Sequence, residues 1–226
     1  MNLNNNLNLK TSKMKTIEII KNYRLLALML FSILTITSCS DDDVPEEENE
    51  VEVITDVTLV FTNTDDDTDV VRAIAEDLDG EGLEELEVDG PINLTNGVTY
   101  TLTFEILNAL NPNDIEDIGD EILEEDDEHQ IFFSFTEDAF RDPMGDGNID
   151  TASDSINYND EDSESQDGSG NPVGLSTTWT AGAALMNGEF TVRLQHQPDI
   201  KSATTGADDG DTDFDLTFVL NIENIE

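Results

Sequence analysis

Between Val98 and Ile106 every second residue is large and apolar. Val98, Tyr100, Leu102, Phe104 and Ile106 alternate with Thr99, Thr101, Thr103 and Glu105. A period of two is the spacing of a strand with one buried face and one wet face. The same alternation appears in Val57-Leu59-Phe61, in His129-Ile131-Phe133-Phe135, in Phe190-Val192-Leu194-His196 and in Phe214-Leu216-Phe218-Leu220-Ile222. Val70 to Ala75, Leu83 to Val88 and Leu175 to Ala181, the last carrying Trp179, read as further strands. Asn63 to Asp67, Pro91 to Gly97 and Asn187-Gly188 supply turns between them. One helix is predicted, capped by Asn113-Asp114 and running to about Asp127, with Ile115, Ile118 and Ile122 on one stripe. These elements predict a mainly all-β domain over 51–226, an immunoglobulin-like antiparallel β-sandwich of seven or eight strands with one short helix. Residues 137–172, acidic and rich in Gly, Asn and Ser, are expected to form one long loop.

Charge narrows the function classes. The chain has 226 residues and a formal net charge of −44, from 53 acids against nine Lys and Arg. Five of the nine precede Cys39, and only Glu18 among the acids does. From Cys39 onward Arg72, Arg141, Arg193 and Lys201 face 52 acids, a net of −48. Such a field repels nucleic acid and anionic headgroups and attracts cations.

The first 50 residues have a separate logic. Lys10, Lys13, Lys15, Lys21 and Arg24 precede an apolar run from Leu25 to Ile36, then Thr37-Ser38-Cys39. A basic region, a short apolar region and small residues form an export signal, here over 1–38. The apolar run is well short of the ~20 residues that span a bilayer. Met14 is an alternative start to Met1, since Met14-Lys15 opens a more ordinary signal. Cys39, the single cysteine, follows the small pair directly, and this resembles the lipobox of bacterial lipoproteins. That resemblance implies lipidation of Cys39 and anchorage in the outer membrane. Asp41, Asp42 and Asp43 resemble the acidic surface-export tag of lipoproteins from the Bacteroidota, which implies a cell-surface address. Residues 39–50 read as an acidic, self-repelling tether.

The chain has two histidines, both in His-Gln pairs beside acids. His129 is in phase with Ile131, Phe133 and Phe135, and His196 with Phe190, Val192 and Leu194, so both face the core side. His129 opens one strand and His196 ends another. Antiparallel pairing would bring both imidazoles to one end of the sandwich, where Glu125, Glu128 or Asp199 could complete a metal site. Imidazole with carboxylate suits zinc or copper. The bland alternative is a pair of strand-end histidines satisfied by backbone carbonyls. Calcium is the other candidate cation. Asp146, Asn148 and Asp150, and Asp209, Asp211 and Asp213, alternate oxygen ligands, as does Asp160-Glu161-Asp162. An EF-hand loop also needs Gly at the sixth position and Glu at the twelfth. Counting from Asp146 these are Thr151 and Asn157, so any calcium would sit in an irregular loop, and the alternative is solvated acidic surface.

Nucleophile elbows, a catalytic cysteine, a His-Glu-x-x-His helix and phosphate loops are all absent from the sequence, and a non-enzyme is expected. Trp179 and Tyr158 could stack on sugar, though a strand tryptophan in this phase more commonly belongs to the core. Asp150-Thr151-Ala152 and Asp154-Ser155-Ile156 resemble O-glycosylation acceptors of the Bacteroidota, with Thr151 and Ser155 as the modified residues.

Asp127-Glu128-His129-Gln130, Asn171-Pro172-Val173-Gly174-Leu175, Leu194-Gln195-His196-Gln197-Pro198-Asp199 and Asp211-Thr212-Asp213 together resemble a group of flavobacterial lipoproteins whose members carry the label "type 1 periplasmic binding fold". That fold has two α/β lobes, whereas this chain is short and strand-rich, so the strand pattern takes precedence for architecture. The resemblance implies an envelope lipoprotein working beside a TonB-dependent receptor. The expected function is capture of a divalent cation, zinc or copper, with no nucleic-acid partner. Two alternatives stand beside it: a structural or adhesive surface lipoprotein with calcium-binding or merely solvated loops, and a glycan-binding one.

Overall fold

A computed structural model describes residues 52–77, 86–160 and 171–224. The export signal, Cys39, Asp41, Asp42, Asp43 and the tether lie outside the described residues, as do Leu83 to Glu85, Glu161 and Asp162.

The described chain is an all-β sandwich of two sheets. Its strands are β1 (Asp56–Asn63), β2 (Val70–Glu76), β3 (Glu87–Asp89), β4 (Ile92–Thr95), β5 (Thr99–Asn108), β6 (Glu116–Asp117), β7 (His129–Phe135), β8 (Phe140–Asp142), β9 (Ser176–Ala181), β10 (Leu185–His196) and β11 (Asp211–Glu223), with α1 (Ile118–Glu124) between β6 and β7. The larger sheet runs β3-β2-β1-β5-β9-β8, with β6 paired to β5. The smaller runs β4-β11-β10-β7. Each strand with strong alternation is present and buries its predicted face. Tyr100, Leu102 and Ile106 of β5 and Phe190, Val192 and Leu194 of β10 are all in the core.

Eleven strands exceed the seven or eight expected, because three short ones have too few residues to show a period. β4 lies inside the expected turn Pro91 to Gly97 and pairs parallel to β11, with Ile92 and Leu94 buried. β8 lies inside the expected loop 137–172 and pairs with β9. β6 is two residues long. The helix starts at Ile118, not beside Asn113-Asp114, and Asp117 at its N-cap makes no side-chain capping bond. Ile118 and Ile122 are buried as predicted, but Ile115 is 55 % exposed and outside the helix.

Trp179 is the hub of the core. It is fully buried, its Nε1–H donates to Thr177 Oγ1 at 2.7 Å, and its ring meets those of Phe133, Phe135, Phe140 and Phe190 at 4.8–5.4 Å. Four aromatic contacts in edge or tilted geometry add to the apolar area that Trp179 removes from water. It is therefore not a sugar-stacking surface. The free edge of β7 is covered by loop backbone and an asparagine side chain: Phe135 N–H donates to Asp146 C=O, and Phe133 N–H to Asn148 Oδ1. Gly147 permits that approach, because a Cβ there would stand 2.1 Å from the Phe133 carbonyl oxygen. No described helix is long and apolar enough to cross a membrane.

Candidate metal centre

β7 begins at His129 and β10 ends at His196. The strands are antiparallel, and their register places these two residues directly opposite each other. Both side chains are buried, at one end of the sandwich, in the phase that period-two counting predicts. The rings stack, with centroids 4.5 Å apart and planes 7° from parallel.

Stacking has a consequence for ligation. A metal bound to an imidazole lies close to the plane of that ring. Two rings stacked in parallel planes have no common in-plane point, so one ion cannot sit well against both. Glu125, His129 and His196 each offer an atom within 4.8 Å of the others. Distance therefore allows the expected shared two-histidine site, but ring orientation opposes it. His196 is instead engaged by Glu128, whose Oε2 lies 3.0 Å from its Nε2. Asp199 occupies an exposed turn at φ 62° and belongs to no described candidate ligand group.

The second constellation on His129 is better formed. Its Nε2 lies 3.4 Å from Glu52 Oε2 and 3.8 Å from Asp213 Oδ2. All three ligand atoms fall within 4.8 Å of one another. The side chains are 0 %, 10 % and 6 % exposed for His129, Glu52 and Asp213. None of these three atoms has a hydrogen-bond partner. On the far side of the ring, Nδ1–H donates to the Glu125 carbonyl at a long 3.4 Å. A backbone acceptor on Nδ1 fixes the tautomer that turns the Nε2 lone pair toward the carboxylates, as for histidines that ligate metals. With bonds of 2.0–2.2 Å, tetrahedral ligands stand roughly 3.3–3.6 Å apart. The 3.4 Å edge matches, and the 3.8 Å edge needs a small closure.

Electrostatics make the same point. Burial pushes the Asp213 carboxyl up to about 6; Glu52 adds repulsion, and His129 opposes both. Burial pulls the His129 imidazole down, but Glu52, Asp213 and the Glu125 carbonyl outweigh it and leave it above its ordinary value. Two ionised carboxylates facing a neutral imidazole lone pair is an arrangement of three buried acceptors. It needs a proton or a cation at its centre.

Three local devices build the site. Arg193 and Leu194 of β10 pair with Asp215 and Phe214, but Gln195 and His196 pair with Thr212 and Asp211. One extra residue, Asp213, is thus accommodated in β11. A β-bulge of this kind re-aims a side chain, and it turns Asp213 onto the histidine face. Gly210, at φ 88°, lets the start of β11 press against β10, since a Cβ there would stand 2.1 Å from the His196 carbonyl oxygen. Lys201 Nζ donates to the backbone carbonyls of Asp126 and His129, the latter at 2.6 Å, and fixes the turn before β7.

The calcium candidates separate. Asp146 and Asp150 cluster with Asp154, all exposed. Asn148 turns inward, accepting from Phe133 N–H and donating to the Tyr158 hydroxyl. Asp209 accepts from Gly206 N–H, Asp211 pairs in register with His196, and Asp213 enters the histidine cluster, so these three do not form one loop site. Thr151 and Ser155 are exposed. No family model, curated protein or solved structure matches the chain.

Proposed function

We propose that this chain is an outer-membrane lipoprotein whose β-sandwich captures a divalent transition cation, zinc before copper, at Glu52, His129 and Asp213. The observation that carries this reading is the set of three buried, unpartnered acceptor atoms within 4.8 Å of one another. Two carboxylate charges, one neutral imidazole and one divalent cation sum to zero. A proton at the same place leaves a net charge of −1 in a buried pocket. One nitrogen and two oxygen donors suit zinc, and three protein ligands leave a fourth position open. An open position suits a carrier, because the receiving protein can add its own donor before the last ligand lets go. The acidic surface concentrates cations around the site. Lipidated Cys39 holds the domain at the membrane, and a TonB-dependent receptor is the proposed recipient.

The experiment is zinc titration by calorimetry on a secreted, unlipidated form that begins at Ser40. The reading predicts one site per chain, lost in Asp213→Asn and His129→Ala and kept in His196→Phe. Stoichiometric binding that survives both of the first two variants refutes it.

A further inference from the structure

The outer face of the smaller sheet carries a second concave site, unconnected with the histidines' chemistry. Gln130 follows His129, so its side chain leaves β7 on the opposite face. There a cleft of about 340 Å³ opens between the loop over 148–158 and the turn over 202–205, with Gln130, Tyr158 and Pro172 among its walls.

This cleft differs from the surface around it. In a chain of net charge −44, its side chains are amides, hydroxyls and small apolar groups, with Asp154 as the one ionised residue. Its frame is already fixed. Tyr158 O–H donates to the Ile131 carbonyl and accepts from Asn148 Nδ2, and its ring packs on Phe133. Thr205 Oγ1 is held by Ser202. Gln130 is the exception. The residue is only 7 % exposed, yet its amide makes no hydrogen bond to any described residue, and it lines the cleft. Its amide therefore keeps two donors and an acceptor open toward the cleft, where a polar ligand can meet them. Ser155 and Asp154 stand on the same wall with further hydroxyl and carboxylate groups.

We infer that this cleft binds a small, neutral, polyhydroxylated molecule, a mono- or disaccharide unit. The Gln130 amide can donate to one hydroxyl and accept from another, and Asp154 can accept from a vicinal pair. Tyr158 and Pro172 offer apolar surface to a sugar's C–H face. Anions are disfavoured by Asp154 and the surrounding field; Asp146 and Asp150, which cluster with Asp154, lie outside the cleft's lining. The volume lies at the small end of the range for ligand pockets, as a one- or two-ring ligand requires.

Saturation-transfer NMR with glucose, galactose and N-acetylglucosamine, on the full mature lipoprotein in detergent micelles, tests the site. Transfer to the ring protons of at least one sugar is expected. Ser155→Trp and Ala203→Trp, both exposed positions on opposite walls, should each abolish it while the melting temperature stays unchanged. Gln130→Leu, which keeps the volume, should weaken the dissociation constant at least about tenfold, the effect of leaving a hydroxyl unmatched. His129→Ala should leave transfer intact, which separates this site from the metal centre. No transfer with any of the three sugars, or undiminished transfer in both tryptophan variants, overturns the inference.

Discussion

His129 and His196 stack face to face, 7° from parallel, and that contact gives the two rings different duties. His129 presents Nε2 to Glu52 and Asp213, whereas His196 covers the ring and answers to Glu128. Replacing His196 with Phe keeps a flat ring in the stack, so zinc affinity should stay within about tenfold. Replacing Glu52 with Gln removes a ligand charge, and affinity should fall by more than about a hundredfold, beyond what residues behind the ligands typically contribute. Calorimetry on the two variants distinguishes a ligand from a neighbour.

Metal-free stability should decline as pH rises. Asp213 sits at about 6 against an ordinary 3.8, and His129 is raised above 6.5. In both cases the folded state holds its proton more tightly than the unfolded chain does. That contribution is complete below the unfolded value and is lost as pH rises through the folded one. For Asp213 the loss falls between 3.8 and about 6 and amounts to roughly 3 kcal/mol. Urea titrations from about pH 4 to about pH 8 should show it, and Asp213→Asn should flatten the lower part of the curve. Added zinc should act oppositely, stabilising more at the higher pH where protons no longer compete. A metal-free protein that grows more stable through this interval would contradict the cluster's electrostatics.

Gly210→Ala tests the bulge. The new Cβ meets the His196 carbonyl oxygen and must also accept a left-handed backbone conformation. A loss of more than about 2 kcal/mol is expected. Zinc affinity should fall with it, because the same segment places Asp213. Denaturation and calorimetry on one preparation read both.

Trp179→Ala should cost about 3–5 kcal/mol in urea denaturation, as for large core aromatics generally. Its ring closes four aromatic contacts in the core.

The anchor is tested in cells. Cys39→Ala should abolish labelling by a fatty-acid probe. Neutral residues at Asp41, Asp42 and Asp43 should leave the protein on the inner face of the outer membrane, protected from protease added to whole cells. Labelling that persists in the first variant, or cleavage unchanged in the second, removes the corresponding part of the proposal.

The sandwich was legible because long strands repeat their pattern many times. Residues 98–106 and 214–222 leave no second reading. β4, β6 and β8 were not, since two to four residues hold no period, and the parallel pairing of β4 with β11 depends on tertiary contact alone. The histidines were legible by the same counting. Asp213 was not: counting back from Phe214 places it on the far face, and only the bulge returns it. Glu52 precedes the first strand, where no alternation exists to assign it a side.

Glu52 also fixes where force enters the domain. It leads into β1 of the larger sheet, while His129 and Asp213 belong to strands of the smaller one. If Cys39 is the anchor proposed above, tension along the chain meets Glu52 first among the described residues. With the centre empty, such a pull is resisted ahead of β1 by the hydrogen bonds of Thr55 to Leu107 of β5 and to Asp77 just after β2. With a cation in place, the load is shared by both sheets at once, and the domain's mechanical resistance becomes a reading of its cargo.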